Sequence, residues 1–191
     1  PISDVWALAA LEMVGSSILS AVLDPEDMDA RTNMALAATF AGVGFGNAGV
    51  HLPHGMSYPV SGLVKNYTPE GYPEGKPIVP HGMAVILNAP AVFRYTAPSS
   101  PKRHLRAAQL LGADTRGAGP EDAGDLITDR LILFLKEIGV PNGLVEVGYT
   151  IEDVPALVEG TLPQHRVTKL APRPTGPEEL TQLFTDSLTL W

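Results

Sequence analysis

The sequence contains no cysteine, so it can form neither a disulfide nor a thiolate metal site. Any metal must be held by His, Asp or Glu, a ligand set that suits zinc, iron and similar divalent ions. Basic residues are also scarce, since 13 Lys and Arg stand against 21 Asp and Glu and give a net charge of −8. With no Lys/Arg-rich run, this balance argues against a nucleic-acid-binding surface.

No stretch shows a convincing strand pattern, and residues 140–147 are the only weak candidate. Apolar residues at helical spacing, separated by Pro and Gly breaks, instead predict an all-α, multi-helix fold within one domain over residues 1–191. Ser3 is a candidate N-cap, and Thr150 with Asp153 fits a capping box. The predicted helices cover residues 3–23, 25–41, 53–62, 80–93 with a kink at Pro90, 102–111, 120–139, 151–159 and 177–191.

Residues 5–23 form the one long apolar run, with Glu12 as its only charge. Its length approaches the ~20 residues of a membrane span. It lacks a basic flank and an aromatic belt, and four acidic residues follow at once. We therefore predict a core helix surrounded by other helices, and no membrane partner. Because the chain enters this helix almost directly and without an initiator methionine, we expect it to be a piece of a longer protein.

Glycines at positions 42, 44, 46 and 49 invite comparison with a nucleotide-binding loop. That fingerprint requires a preceding strand within a βαβ unit, whereas a helix is predicted here. Close helix packing beside the third helix explains these glycines better.

The tetrapeptide Pro-His-Gly-Met occurs twice, at residues 53–56 and 80–83. Proline is tolerated in the first turn of a helix, so each copy predicts a helix start that carries a histidine. The positive end of the helix dipole favours neutral imidazole, which is the metal-binding form. His54 and His81 are therefore candidate metal ligands, although ordinary turn chemistry with packed or surface histidines fits the same motif.

The runs GFGNAGVHLPHGMSYPVSG and IVPHGMAVILNAPAVF are similar to the signature region of the iron-containing (group III, metal-dependent) alcohol dehydrogenases. PISDVWALAAL resembles a helix of the family that follows its first metal-ligand segment, and RVTKLAPRPTGPEELTQLF resembles its closing turn and last helix. The loop at 63–77, with GADTRGAGPEDAG and VPALVEGTLPQHRVTKLAPRP, resembles the hydroxyacid-oxoacid transhydrogenase subgroup.

This resemblance implies an N-terminal, Rossmann-like NAD-binding domain followed by a helical domain. It also implies a divalent metal, iron or zinc, held by one Asp and three His, of which His54 and His81 match the third and fourth ligands. The other two would precede Pro1. Residues 1–191 would then be a single helical metal-binding domain, with an incomplete metal site and without its NAD-binding partner.

Tyr58 stands where many members of the resembled family have a further histidine. Its phenol would orient a substrate or pass a proton, and a merely packed tyrosine is the alternative. His51 is expected near the site but not as a ligand. His104 and His165 are expected to be solvated, since both lie in polar contexts.

The subgroup implies that 4-hydroxybutyrate is oxidised to succinate semialdehyde while 2-oxoglutarate is reduced to 2-hydroxyglutarate. Because these small hydroxy and oxo acids are anions, a basic residue should face the cleft, and Lys65, Lys76 and Lys169 are candidates. The expected location is the cytoplasm, or the mitochondrial matrix in a eukaryote, with a possible homo-oligomer. The isolated chain is expected to be inactive. The alternative is a stand-alone helical interaction module without catalysis.

Overall fold

The computed structural model describes all residues 1–191, and it contains helices but no strand. The all-α prediction is therefore confirmed, and residues 140–147 form no strand. The helices are α1 (Ile2–Leu23), α2 (Met28–Ala48), α3 (Leu52–Gly62), α4 (His81–Ile86), α5 (Ala89–Thr96), α6 (Pro101–Leu110), α7 (Ala123–Glu137), α8 (Val154–Thr161), α9 (His165–Thr168) and α10 (Pro177–Leu188). Single 3₁₀ turns lie at Ala97–Ser99, Pro120–Asp122, Val145–Val147 and Ile151–Asp153.

Packing divides the chain into two compact units, each assembled from two separate stretches of sequence. The first contains residues 1–49 and 100–139, and the second contains residues 50–99 and 140–191. The candidate ligands and Tyr58 all lie in the second unit. The single metal-binding domain over residues 1–191 stays a prediction.

In the first unit, α1 packs along α2 and touches α6. The rings of Trp6 and Phe40 meet edge-on with centroids 5.1 Å apart. A Cβ on Gly15 would lie 2.2 Å from the carbonyl oxygen of Leu110, so only glycine permits this approach to α6.

The glycines near residue 44 do not end α2, which continues to Ala48. A Cβ on Gly44 would lie 3.5 Å from the carbonyl oxygen of Ser3, so this glycine packs beside α1 and not, as predicted, beside the third helix. Open space surrounds Gly42 and Gly46. Glycine costs a helix about 0.5–1 kcal/mol per residue, and at Gly42 and Gly46 no close contact explains it.

The helix α1 is not enclosed in this structure, contrary to the prediction of a surrounded core helix. Ala10 and Ser17 are its buried residues, whereas Ile2, Val5 and Leu8 are exposed. Within this unit, α2 and α6 pack against it. With a mean hydropathy of 1.7, α1 is long and apolar enough to cross a membrane, but one such helix is weak evidence because core helices pass the same test.

In the second unit, one hydrophobic core joins α3, α4, α5, α8 and α10. Its members have at most 7% of their surface exposed and include Leu52, Met56, Val60, Val79, Ala84, Leu87, Val92, Leu144, Tyr149, Leu157, Leu180 and Phe184. The turn after α9 is tied to α5, because Arg173 donates to the carbonyl oxygen of Tyr95 at 2.6 Å and the Tyr95 hydroxyl donates to that of Pro174 at 2.6 Å.

Several predicted helix boundaries shift for local reasons. Pro1, not Ser3, precedes α1. Pro25 does not open the second helix, which starts at Met28 because the Asp27 carboxylate accepts from the backbone N–H of Ala30 at 2.9 Å. The capping box of Thr150 and Asp153 is confirmed, with a 2.8 Å bond from the Thr150 N–H to the carboxylate.

The predicted helix over residues 80–93 is two helices, with a break at residues 87–88. The Asn88 side chain is fully buried and donates to the carbonyl oxygen of Ala84 at 2.7 Å. Pro90 lies in the first turn of α5, where no N–H is needed, and therefore does not kink a continuous helix.

Candidate functional site

Each Pro-His-Gly turn opens a helix, as the sequence predicts. Pro53 lies in the first turn of α3, and Pro80 is the N-cap of α4, which starts at His81. The two helices pack against each other. The Ser61 hydroxyl also donates to the carbonyl oxygen of Val79 at 3.0 Å, which ties the end of α3 to the residue before Pro80.

His54 and His81 face each other across the start of these helices. Their ring centroids are 5.4 Å apart and the ring planes are inclined by 59°. Because metal–imidazole bonds are about 2.0–2.1 Å long, two rings at this separation can share one ion. Burial and, to a smaller extent, the nearby charge of His81 lower the pKa of His54. The neutral, ligand form of this imidazole is therefore favoured.

Tyr58 lies one helical turn after His54, and its ring lies beside that of His81. Its ring is nearly parallel to that of His81, with centroids 6.4 Å apart and an angle of 22°. Its hydroxyl accepts a 3.1 Å hydrogen bond from the guanidinium of Arg166. Tyr58 is thus half-buried between an imidazole and a cation. Its role in catalysis stays a prediction.

Arg166 is the residue at this site that sequence reasoning missed. It lies on α9, a helix of four residues, which is too short to show helical periodicity. Its partner is 108 residues away in the chain, so no local pattern indicates the contact. The only sequence signal is a basic residue inside the PQHRVTK segment, which carries part of the family resemblance.

The three lysines that are candidates to face the cleft have different surroundings, and that role stays a prediction. Lys65 pairs with the carboxylate of Asp153 at 2.6 Å. Lys76 belongs to the exposed loop before α4. Lys169 lines a depression of about 470 Å³ with Arg173 and His165. None of the three donates a hydrogen bond to Tyr58 or to either candidate ligand.

The remaining histidines have other contacts. His51 lies next to the pair in the chain, as predicted, since its carbonyl oxygen accepts from the His54 backbone N–H at 3.0 Å. His51 meets Phe93 edge-on, with centroids 6.3 Å apart. His165 is exposed, as predicted. His104 is not simply solvated, since it is half-buried and its Nδ1 lies 2.9 Å from the carbonyl oxygen of Ser100, one helical turn earlier.

No group of three or more His, Asp or Glu side chains in residues 1–191 is arranged to hold a metal ion. The pair of imidazoles nonetheless fits a borderline divalent ion such as zinc or iron, which accepts nitrogen ligands. Ligation by His54 and His81 stays a prediction.

Curated relatives share more than half of their aligned residues with this chain. The mitochondrial hydroxyacid-oxoacid transhydrogenase of Pongo abelii is 56% identical over 191 residues, which is 100% of this chain and 41% of that protein. The human protein of that name is 55% identical with the same coverage. A probable mitochondrial hydroxyacid-oxoacid transhydrogenase of Dictyostelium discoideum is 52% identical over 192 residues, 35% of its length. The chain thus spans about two fifths of these relatives or less.

Solved structures share the fold. The crystal structure of 1,3-propanediol oxidoreductase superposes with a TM-score of 0.86 at 26% identity and covers 98% of this chain and 45% of that one. The alcohol dehydrogenase from Oenococcus oeni gives 0.86 at 25% identity, with the same coverage. Residues 1–188 match the profile of the C-terminal part of the Fe-containing alcohol dehydrogenases. The chain therefore belongs to the Fe-containing alcohol dehydrogenase family.

Proposed function

We propose that this chain is the C-terminal, metal-binding part of a hydroxyacid-oxoacid transhydrogenase that depends on a divalent metal and on NAD. The whole enzyme would oxidise 4-hydroxybutyrate to succinate semialdehyde and reduce 2-oxoglutarate to 2-hydroxyglutarate. The observation that carries the proposal is the facing pair His54 and His81, 5.4 Å apart with Tyr58 beside His81. The names of relatives at 55–56% identity support the choice of substrates.

In this proposal, His54 and His81 hold the metal through neutral imidazoles. When bound, such an ion polarises an alcohol or carbonyl oxygen as a Lewis acid, while the nicotinamide carries the hydride. Tyr58 presents its hydroxyl beside His81, where it would orient the substrate or pass a proton. The glycines at 42–46 lie within α2 and not in a loop that follows a strand. NAD would therefore be bound by an N-terminal domain.

The proposed partners are that NAD-binding domain, small hydroxy and oxo acids, and a second copy of the protein. The relatives are named mitochondrial, which supports the mitochondrial matrix if the source is a eukaryote.

The test uses the longer protein that carries this chain. We expect His54→Ala and His81→Ala each to abolish NAD-linked turnover of 4-hydroxybutyrate and to lower the bound metal measured by mass spectrometry. The matched control is His165→Ala, which removes an exposed imidazole and should leave both unchanged. Retained metal and turnover in both ligand variants would refute the proposal, as would turnover by residues 1–191 alone.

The alternative function is a helical interaction module without catalysis. The exposed apolar side chains of α1 favour it, because such a surface is typical of a binding face. It predicts a longer protein that lacks turnover of 4-hydroxybutyrate even when metal and NAD are supplied.

A further inference from the structure

We propose that Arg166 binds the carboxylate of the hydroxy- and oxo-acid substrates, next to the His54–His81 pair. This inference rests on the proposed function and adds to it the residue that recognises the acid group. It replaces the lysines that the sequence suggests for this role.

A short series of contacts links Arg166 to the candidate metal ligands. Its guanidinium donates to the Tyr58 hydroxyl at 3.1 Å. The Tyr58 ring in turn lies nearly parallel to that of His81, which faces His54. A cation is therefore held one side chain away from the imidazole pair. An acid whose oxygen reacts at the pair would extend its carboxylate toward this cation.

The backbone that carries Arg166 is fixed against α3. A Cβ on Gly55, the residue after His54, would lie 2.9 Å from the Thr168 methyl carbon and 3.4 Å from a Val167 methyl carbon. Val167 is only 2% exposed. Because α9 packs this closely on the helix that carries His54 and Tyr58, the position of Arg166 relative to them is set by the fold.

The charge of Arg166 is also available to a ligand. Its side chain is exposed, and its guanidinium donates to a neutral hydroxyl. By contrast, Lys65 is neutralised by Asp153 at 2.6 Å. Arg173 stacks over the Tyr95 ring at 4.1 Å and donates to its carbonyl oxygen. Arg166 is therefore the cation at this site without a carboxylate partner.

A guanidinium suits this role because of its geometry. It presents five N–H donors in a planar fork that matches both oxygens of a carboxylate, whereas a lysine ammonium acts as a point charge. The bond to Tyr58 uses one of these donors and orients the fork. The remaining donors can bind both oxygens of a substrate carboxylate. Such a contact would favour hydroxy acids over neutral alcohols of the same length.

The experiment compares Arg166→Ala, Arg166→Lys and Lys169→Ala in the longer protein. Binding of succinate, an unreactive dicarboxylate, is measured by calorimetry, and kcat and KM are measured for 4-hydroxybutyrate and for 1-butanol. For Arg166→Ala we expect the succinate Kd and the 4-hydroxybutyrate KM to rise roughly 10- to 100-fold, the loss typical of a hydrogen bond to a charged group. The kinetic constants for 1-butanol should change less than threefold.

Arg166→Lys should recover part of the loss, since the charge returns without the fork. Lys169→Ala removes an equal charge three residues away and should stay within twofold of the wild type. Unchanged succinate binding in Arg166→Ala, or an equal loss in Lys169→Ala, would overturn the inference. Wild-type protein that binds succinate through Arg166 but does not oxidise 4-hydroxybutyrate would instead refute the proposed function. Arg166 would then still be an anion-binding residue.

Discussion

Replacing Tyr149 by Phe tests how firmly α3, the helix that carries His54 and Tyr58, is held in the second unit. Tyr149 is 2% exposed, and its hydroxyl donates to the carbonyl oxygen of Val60 at 2.6 Å. Val60 lies in the last turn of α3, where backbone carbonyls have no partner within the helix. Because Val60 is also fully buried, water cannot take the place of the lost hydroxyl.

The expected loss of stability in Tyr149→Phe comes from the Val60 carbonyl oxygen, which loses its hydrogen-bond donor in the core. Such a group costs about 1–3 kcal/mol of the free energy of unfolding. The phenyl ring stays in place, so no cavity adds to this cost. A loss of 1 kcal/mol lowers the Tm of a chain of this size by roughly 2–4 °C. We therefore expect a lower Tm and a lower denaturant midpoint for Tyr149→Phe, measured by circular dichroism on residues 1–191.

The pH dependence of the free energy of unfolding tests the same hydrogen bond in a second way. Burial, with a smaller contribution from the charge of Asp153, raises the pKa of Tyr149 to about 12. Because the folded pKa is above the unfolded one, the contribution of the neutral phenol is complete below pH ~10 and is lost as pH rises toward about 12. Tyr149→Phe should remove this alkaline loss of stability.

The matched control is Tyr72→Phe, which removes a hydroxyl from a side chain that is 46% exposed. An exposed substitution of this kind should change the free energy of unfolding by no more than about 0.5 kcal/mol. If Tyr149→Phe is as stable as Tyr72→Phe at neutral pH, the buried hydrogen bond does not stabilise α3.

Two further predictions concern stability. Gly15→Ala should lower the free energy of unfolding by about 1–3 kcal/mol, since its Cβ would meet the Leu110 carbonyl oxygen at 2.2 Å. Gly46→Ala, with open space around it, should be neutral or stabilising in the same urea titration, and equal effects would contradict this packing. The hydrogen bond from Lys65 is the main cause that lowers the pKa of Asp153. The ion pair therefore contributes fully to stability above pH ~3.8, the pKa of Asp in the unfolded chain, and the contribution is lost as pH falls through the lower folded pKa. In Lys65→Met the acid-induced loss of stability should be smaller by up to about 1 kcal/mol, and an unchanged acid profile would argue against the ion pair.

The starts of the site helices could be predicted because their causes are local. Proline in a first turn and the capping box at Thr150 act within four residues. The two His-bearing turns therefore begin α3 and α4 as the sequence indicates. The resemblance to the family predicts that the two histidines approach each other, and the structure adds the distance of 5.4 Å between their ring centroids.

The features that could not be predicted leave no mark on the local hydrophobic pattern. Arg166 meets Tyr58 across 108 positions, from a helix of four residues that leaves no periodic pattern. The break at Asn88 arises inside an apolar run, where hydrophobicity alone indicates one continuous helix. The exposure of α1 was missed because the pattern of an apolar helix does not reveal which neighbours cover it.

The loop at residues 63–80 lies between the two histidines in the sequence, but its length does not set the distance between them in the structure. The Ile78 N–H donates to the carbonyl oxygen of Tyr67 at 2.7 Å, so the ends of the loop are tied together near its base. At its tip, Gly71 and Gly75 have positive φ values of 80° and 76° and open space around them. Since lengthening a closed loop costs little entropy, evolution or an engineer can insert a peptide at this tip without moving the helices that carry the histidines.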